Sequence, residues 1–228
     1  CSSDLTEYKK SHGEVILTEA DVIHQITSVL KMKTGEQCII VGENNEDILC
    51  IIKDIRKDEI KCAIEEVIEN TNDSVKDVTL YMAILKKENF ELVVQKASEI
   101  GITKIVPMIT TRTVKTGLNF DRINKIAREA SELSGRSTVT EITEITTFPD
   151  ALQNDTNSNK ILFDITGKQV ESQKLKVESL SIYIGPEGGF TDQEIDEAKE
   201  HNLNIYNLGK LTLRGETAGI IACYLALQ

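Results

Sequence analysis

The sequence predicts an α/β protein that consists of a small, mostly β module followed by a larger domain in which helices pack on a parallel sheet. Up to residue 70, short segments rich in Ile and Val are separated by polar stretches, as in antiparallel strands. After residue 77, such segments alternate with amphipathic helices, which is typical of a parallel sheet. Turn-forming residues fill the stretch 70–77 between the two regions. The predicted domains are therefore residues 1–70 and 77–228.

Apolar periodicity predicts the individual elements of both domains. The first domain is predicted to contain a helix at residues 20–31 and strands at 38–42, 48–53 and 60–68. The second is predicted to contain strands at 78–85, 104–109, 160–164, 180–184 and 204–207, and helices at 88–100, 119–134, 192–201 and 216–227. Gly101 is the predicted stop of the first of these helices. The last helix is apolar nearly all round, which predicts burial beneath other structure or against a second subunit.

The charge balance limits the classes of partner. The chain has 228 residues and a formal net charge of −11, and no apolar run approaches the ~20 residues that cross a bilayer. We therefore expect a soluble globular protein that does not coat nucleic acid or anionic membrane by bulk attraction. Residues 77–140 are relatively basic, so an anionic partner would be met locally there.

The cysteines and histidines show no metal-binding pattern. Five Cys and three His are present, without a Cys-x-x-Cys pair or a metal-ligand spacing. We predict no metal, buried thiols and a reducing, cytoplasmic location. The sequence begins with Cys1, which we interpret as a trimmed start, with a lipid-modified terminus left by a signal peptidase as the alternative.

The first candidate site is the glycine-rich stretch IGPEGGF, residues 184–190, at the end of a predicted strand. Its glycines allow the backbone to approach a ligand closely, and Thr191 with Glu194 has the spacing of a capping box. The spacing fits neither a dinucleotide fingerprint nor a P-loop. Because Glu187 would repel phosphate, the stretch favours a neutral or cationic ligand, with a tight structural turn as the alternative.

The second candidate site is LGKLTLRGETA, residues 208–218, between a β-like run and the last helix. Arg214 can project its charge into the crevice at the carboxyl ends of the strands, where open α/β sheets bind ligands. A surface ion pair with Glu216 or Glu187 is the alternative. Arg214 is the leading candidate for a functional side chain.

Together with VQKASEIGITKIVPMITTRTV and IAREASELSGRS, these two motifs resemble the bacterial RsmE-like methyltransferases of the SPOUT class, which modify N3 of a uridine in small-subunit (16S) ribosomal RNA. The likeness covers nearly the whole chain, because VIHQITSVLKMKT resembles that family's N-terminal helix segment. It implies a PUA-like β-barrel for RNA followed by a parallel-sheet domain with a deep trefoil knot. It also implies S-adenosylmethionine (SAM) as methyl donor and a homodimer with its pocket near the subunit interface.

Carried over residue by residue, the resemblance assigns the SAM pocket to Phe163, Ile184, Gly185, Pro186, Glu187, Gly188, Gly189, Leu208, Gly209, Leu211 and Leu213. Uracil N3 is a poor nucleophile until its proton leaves, so the site must stabilise negative charge, and Arg214 fits that role. Glu129, Glu216 or water could accept the proton. The candidate ligands for RNA phosphates are Lys31, Arg112, Lys115 and Arg136.

The sequence departs from the family pattern at several points. Lys31 stands where the family commonly has Arg, Gly215 where we expect Thr, and Leu133 where we expect a polar residue. The basic, aromatic first strand of the family is also absent. The rival hypothesis is a catalytically inactive RNA-binding factor for ribosome assembly with the same fold, and the intact glycine-rich stretch and Arg214 argue against it. The negative charge predicts assembled small subunits, rather than naked RNA, as the substrate.

Overall fold

The computed structural model describes residues 3–5, 8–11, 13–41 and 46–228, so Cys1 and the predicted end of a strand at residue 42 lie outside the described residues. The described residues form two compact units. The first consists of those up to Asp73 together with Ser131–Val139, and the second of Ser74–Ala130 with Thr140–Gln228. The segment 131–139, which the sequence places in the second domain, is thus grouped with the first unit.

A six-stranded, mostly antiparallel sheet forms the first unit. Its strands are β1 (Ser3–Leu5), β2 (Tyr8–Ser11), β3 (Glu14–Leu17), β4 (Gln37–Val41), β5 (Glu46–Ile55) and β6 (Ile60–Glu69). They lie in the order β1-β4-β5-β6-β3-β2, and only the β1–β4 pair is parallel. Alternate residues of β5, Ile48, Cys50 and Ile52, are fully buried, as expected for a strand with one covered face. The predicted antiparallel strands are confirmed, while β1, β2 and β3 were not predicted.

The helix of the first unit ends earlier than predicted. Helix α1 (Ala20–His24) continues as a π-helical turn at Gln25–Val29. The Leu30 N–H donates to Gln25 O at 2.8 Å, one residue further back than in an α-helix, and Thr27 Oγ1 donates to Ile23 O at 2.6 Å. A hydroxyl that bonds a helical carbonyl disturbs the regular ladder. Lys31 then adopts a φ of 53°, outside the helical region.

A seven-stranded parallel sheet forms the second unit and confirms the predicted α/β class. Its strands are β7 (Asp77–Ala83), β8 (Lys104–Ile109), β9 (Glu141–Ile142), β10 (Thr146–Thr147), β11 (Lys160–Gln169), β12 (Ser179–Ile184) and β13 (Asn204–Asn207). The order is β10-β8-β7-β12-β11-β13, β9 also pairs with β8, and every pairing is parallel. The carboxyl ends of these strands therefore share one edge of the sheet.

Four α-helices lie between the strands, and a fifth, α6, follows the last strand: α2 (Lys87–Ile100), α3 (Phe120–Leu133), α4 (Phe148–Asn154), α5 (Asp192–Glu200) and α6 (Gly215–Leu227). A Cβ on Gly219 would lie 3.2 Å from Met82 Sδ, so this glycine allows α6 to lie close to β7. The predicted burial of α6 holds for its core face, whereas Tyr224 is 54% exposed. Across the described ranges, no helix combines the length and the apolarity that a bilayer-spanning segment needs.

The structure also contains elements that the sequence did not predict. Helix α4 begins after Thr147, whose Oγ1 accepts the Asp150 N–H at 3.3 Å, with Pro149 in its first turn. Two turns of helix carry too little periodicity to be recognised. Strand β11 extends beyond its predicted end at residue 164, and its register with β13 shifts between Phe163 and Lys168.

Candidate functional site

One cleft of about 590 Å³ opens at the carboxyl edge of the parallel sheet. It is lined by the loops after β8, β12 and β13, by residues 163–166 of β11, by one face of α5 and by the start of α6. Open parallel sheets bind their ligands at this edge, because the loops that follow the strands converge there. The cleft is therefore the candidate functional site.

Residues 185–190 form a tight turn after β12. Gly189 has a φ of 68°, which favours glycine, and donates its N–H to Pro186 O at 2.9 Å. The predicted capping box is confirmed: Thr191 Oγ1 accepts the Glu194 N–H at 3.2 Å, and Glu194 Oε2 accepts the Thr191 N–H at 2.8 Å. Helix α5 thus begins directly after the turn and fixes the end of the turn beside the cleft.

The loop at residues 208–213 forms another wall of the cleft. Asn207 ties it to β11, since Asn207 Nδ2 donates to Gly167 O at 2.6 Å and Asn207 Oδ1 accepts the Gly209 N–H at 3.0 Å. A Cβ on Gly167 would lie 2.6 Å from the carbonyl carbon of Tyr206, so the two strands approach more closely there than a side chain would allow. These contacts hold the loop in place.

All eleven residues predicted to bind the cofactor line this cleft. One comes from β11, six from the end of β12 and its turn, and four from the loop after β13: Phe163, Ile184, Gly185, Pro186, Glu187, Gly188, Gly189, Leu208, Gly209, Leu211 and Leu213. Phe163 and Ile184 are buried, whereas Leu211 is 80% exposed. The structure thus brings together residues from three separate parts of the chain, and their role in binding stays a prediction.

Carboxylates outnumber cations among the charged side chains that line the cleft. The carboxylates are Asp164, Glu187, Asp192 and Asp196, and the cations are Arg112 and Lys199. Lys199 Nζ lies 2.7 Å from Asp196 Oδ1, so each of these two side chains partly neutralises the charge of the other. An excess of carboxylates repels a polyphosphate and attracts a cation. The cleft therefore favours a positively charged ligand.

Arg214 and Glu216 flank a cleft residue, Gly215, at the start of α6. The Arg214 side chain is 85% exposed, and its Nη1 lies 4.0 Å from Glu216 Oε1. Glu216 is buried, and its Oε2 has no hydrogen-bond partner within the described part of the chain. Glu129 is exposed on α3, 3.8 Å from Lys125 Nζ, and does not line the cleft. Of the two candidate carboxylates, only Glu216 is next to the cleft.

Three of the predicted RNA-binding cations lie in different settings. Lys31 is exposed at the end of the π-helical turn in the first unit. Arg112 lines the cleft and donates from Nη1 to Gly188 O at 2.7 Å and Phe190 O at 3.0 Å. Lys115 is half-buried in the loop after β8 and is not part of the cleft lining. Of these three cations, only Arg112 lines the cleft, and its guanidinium is bonded to backbone carbonyls.

The fourth, Arg136, is buried within the first unit and only 6% of its side chain is exposed. Its Nε donates to Asp73 Oδ1 at 2.7 Å, and its Nη2 donates to Thr138 Oγ1 at 3.2 Å. Burial raises the pKa of Asp73, but hydrogen bonds from Ser137 and Arg136 and the Arg136 charge outweigh it and lower this pKa below its usual value. Arg136 thus has a structural partner, and we do not retain it as an RNA contact.

Sequence reasoning missed the cleft-lining residues outside the two candidate stretches, apart from Phe163 and Arg112: Asp164, Ile165, Thr166, Asp192, Ile195, Asp196, Lys199 and Asn207. Asp164 could have been found, because it directly follows Phe163 at a predicted strand end. The face of α5 could not, since its periodicity indicates only an amphipathic helix. Within the described ranges, no group of three or more His, Cys, Asp or Glu side chains is placed to hold a metal ion.

Comparison with known proteins identifies relatives over nearly the whole chain. Residues 71–227 match the family model of the RNA methyltransferase domain. The ribosomal RNA small subunit methyltransferase E of Rickettsia conorii is 31% identical, over 92% of this chain and 88% of its own length. The protein of the same name from Bacillus subtilis is 29% identical, over 96% of this chain and 92% of its own.

Two solved structures share the fold. The Lpg2936 protein of Legionella pneumophila, solved with bound SAM, is 26% identical with a TM-score of 0.87, over 99% of this chain and 95% of its own. The Neisseria gonorrhoeae ribosomal RNA small subunit methyltransferase E, solved bound to SAM, is 24% identical with a TM-score of 0.88. The match covers 98% of this chain and 95% of its own. The family model and the Rickettsia relative together show that the chain belongs to the ribosomal RNA small subunit methyltransferase E family.

Proposed function

We propose that this chain is a SAM-dependent methyltransferase that transfers a methyl group to N3 of a uridine in small-subunit (16S) ribosomal RNA. One observation carries the proposal: eleven residues assigned to the SAM pocket by two motifs and a strand end converge on a single cleft. The names of the relatives support ribosomal RNA of the small subunit as the substrate class.

The residues of the cleft suit SAM in size and in charge. A volume of about 590 Å³ lies within the range of pockets that hold small molecules. Four lining carboxylates against two cations favour a ligand with a sulfonium and an ammonium group. The turn at 185–190 and the loop at 208–213 would hold the cofactor through main-chain groups. When bound, SAM supplies an electrophilic methyl group on a positively charged sulfur.

The chain's own residues must prepare the uracil. Loss of the N3 proton spreads negative charge onto the flanking carbonyl oxygens, and a cation beside them stabilises that charge. Arg214 suits this role, because its guanidinium is exposed and held only by a long ion pair. We assign Glu216 as the acceptor of the N3 proton, because its buried Oε2 lacks a partner among the described residues. Replacement of Glu216 by Gln should then shift the pH dependence of the rate.

Two architectural features belong to this proposal. The first is a trefoil knot around the cleft, which the resemblance implies and which is supported by the 185–190 turn and the 208–213 loop lining the same cleft. The second is an RNA-binding role of PUA-like type for the first unit, in which exposed Lys31 binds an RNA phosphate. In the second unit, Lys115 is the proposed ligand of an RNA phosphate.

A second copy of the chain is the proposed partner of α6. Tyr224 is 54% exposed on this apolar helix, and Ile220 and Ile221 are only half-buried. A homodimer would cover them and would place the pocket near the subunit interface. Sedimentation equilibrium should show a dimer for the wild type and a monomer for Tyr224→Glu, since burial of a new carboxylate is unfavourable. A monomeric wild type would refute the dimer.

Calorimetric titration with SAM and with ATP tests the cofactor assignment. Both ligands carry adenine and ribose, but ATP is anionic, so the carboxylate-rich cleft should bind SAM at least about 10-fold more tightly. Equal affinity for ATP, or no heat with SAM, would contradict the proposal.

A further inference from the structure

Hydrogen bonds link the loop after β8 to the glycine-rich turn after β12, although β7 lies between β8 and β12 in the sheet. Arg112, whose side chain donates these hydrogen bonds, lies in a compact turn. The Thr110 N–H donates to Thr113 Oγ1 at 2.9 Å, and the Thr113 N–H donates to Thr110 O at 3.1 Å. Arg112 therefore projects from a fixed piece of backbone.

The Arg112 guanidinium reaches two carbonyls of the glycine-rich turn. Its Nη1 donates to Gly188 O at 2.7 Å and to Phe190 O at 3.0 Å. Bonds from a charged donor are stronger than those between neutral groups. A Cβ on Gly188 would lie 3.3 Å from both Cβ and Cδ of Arg112, so the turn also packs on the methylene groups of this side chain.

Two further contacts reach the segment after β12, one from the loop after β8 and one from the loop after β7. The Thr111 N–H donates to Glu194 Oε1 at 2.8 Å, while Glu194 Oε2 accepts the Thr191 N–H. After β7, the Lys86 N–H donates to Glu187 Oε1 at 3.2 Å. The loops that follow three neighbouring strands thus converge on the glycine-rich turn.

Fixing a carbonyl also fixes the amide on the other side of the same planar peptide bond. The Gly188 carbonyl belongs to the peptide that carries the Gly189 N–H, and the Phe190 carbonyl to the one that carries the Thr191 N–H. Both amides are used within the turn, by Pro186 O and by Glu194 Oε2. Arg112 therefore holds the carbonyl side of two peptide planes in a wall of the cleft, while Pro186 O and Glu194 Oε2 hold their amide side.

We propose that Arg112 is a positioning residue for the methyl donor, which holds the glycine-rich turn in its SAM-binding shape, and that it is not a ligand of RNA phosphate. The proposal rests on the proposed function, because SAM is the ligand whose affinity Arg112 would control. A phosphate ligand would act on RNA binding instead, so the two roles affect different measurements.

Two substitutions test this role. Arg112→Met keeps the aliphatic packing and removes every donor, and Arg112→Lys keeps the charge as a single flexible ammonium. Arg112→Met should weaken SAM binding in calorimetry by about 10-fold or more, the scale of one lost charge-assisted hydrogen bond. Arg112→Lys should fall between Arg112→Met and the wild type. The KM for ribosomal RNA at saturating SAM should stay unchanged in both.

Hydrogen exchange measured without SAM gives a second readout. Mass spectrometry of a peptide that covers residues 185–191 should show faster exchange in Arg112→Met, because its turn is no longer held. The matched control is Arg122→Met, since Arg122 lies on α3, pairs with Glu91 and does not line the cleft. It should leave both the SAM affinity and the exchange rate unchanged.

Unchanged SAM affinity and unchanged exchange in Arg112→Met would overturn the positioning role, as would a raised KM for RNA as the sole effect. If the wild type itself failed to bind SAM, the proposed function would fail instead. The exchange rate of the SAM-free chain would then still decide whether Arg112 holds the turn.

Discussion

Gly185 lies against the ring of Phe190 so closely that a Cβ on Gly185 would stand 3.0 Å from two ring carbons. The ring cannot yield easily, because Phe190 is buried and packs on Phe148 with a centroid distance of 5.3 Å. The two ends of the glycine-rich turn thus depend on each other. The missing side chain at Gly185 makes room for the ring that anchors the turn.

Gly185→Ala should distort this turn. Overpacking of a buried contact costs about 1–3 kcal/mol, so we expect a lower thermal midpoint and SAM binding weakened by about 10-fold. Gly117→Ala is the matched control, because a Cβ there meets nothing within 4 Å. Calorimetry that finds wild-type SAM affinity in Gly185→Ala would show that the shape of the turn does not matter for binding.

Arg214→Ala should separate catalysis from cofactor binding. The side chain is exposed and not part of the cleft lining, so the thermal midpoint and the SAM affinity should remain those of the wild type. Methyl transfer should fall by ~10²-fold or more, the usual effect of losing one group that stabilises developing charge. Steady-state kinetics with tritiated SAM measure this, and wild-type turnover would remove Arg214 from the mechanism.

The buried pair Arg136–Asp73 should stabilise the chain more than an exposed pair does. Asp73→Asn removes the carboxylate charge from this buried ion pair, which should lower the free energy of unfolding by about 3 kcal/mol at pH 7. The matched control, Asp54→Asn, breaks the exposed pair with Arg56. It should change the free energy of unfolding by less than about 1 kcal/mol. Urea denaturation measures both, and equal effects would contradict this account.

The same pair predicts a pH dependence. The pKa of Asp73 is lowered in the folded chain, so its stabilisation is complete above the unfolded value of about 3.9 and is lost as the pH falls through the folded value. The stability of the wild type should therefore decline more steeply below about pH 4 than that of Asp73→Asn. Parallel curves for the two proteins would show that Asp73 does not titrate with folding.

The buried thiols should be inert in the folded chain. Cys38, Cys50, Cys62 and Cys223 are buried thiols outside any disulfide, and burial raises the pKa of Cys50 to about 12. Because the thiolate is the reactive form, Ellman's reagent at pH 8 should label none of them in a Cys1→Ser variant until urea is added. Rapid labelling of the native variant would contradict the burial of these four thiols.

Long periodic elements could be predicted from the sequence. Helix α2 starts one residue before its predicted position and ends at the predicted residue, where Gly101 takes a φ of 111°. The prediction that α1 extends to Lys31 was wrong at the carboxyl end of the helix. Hydrophobic periodicity does not reveal the hydrogen bond that Thr27 Oγ1 donates to Ile23 O. Helix α4 was not predicted, because its seven residues are too few to show a helical period.

The candidate site was predictable where motifs defined it and not where charge alone did. The residues that the resemblance assigned to the SAM pocket all line one cleft. Arg112 and Arg136 were assigned to RNA because the middle of the chain is basic, but charge does not specify a partner. Their partners, Gly188 and Asp73, lie 76 and 63 residues away in the sequence, so only the folded chain reveals them.

The net charge of −11 predicts a preference for a structured substrate. A negative chain gains little from non-specific attraction to phosphates, so shape and local contacts must select the target. Assembled small subunits should accept methyl groups at least about 10-fold faster than the same RNA stripped of protein. Scintillation counting of both substrates measures this, and equal rates would show that RNA alone carries the recognition.

The most direct test is mass spectrometry of nucleosides from small-subunit ribosomal RNA. Small subunits from a strain that lacks this chain would be incubated with SAM and either the wild type or Arg214→Ala. We expect one N3-methyluridine per subunit with the wild type and almost none with the variant. Methylation of another base or atom, or SAM binding by the wild type without any transfer, would contradict the proposed function.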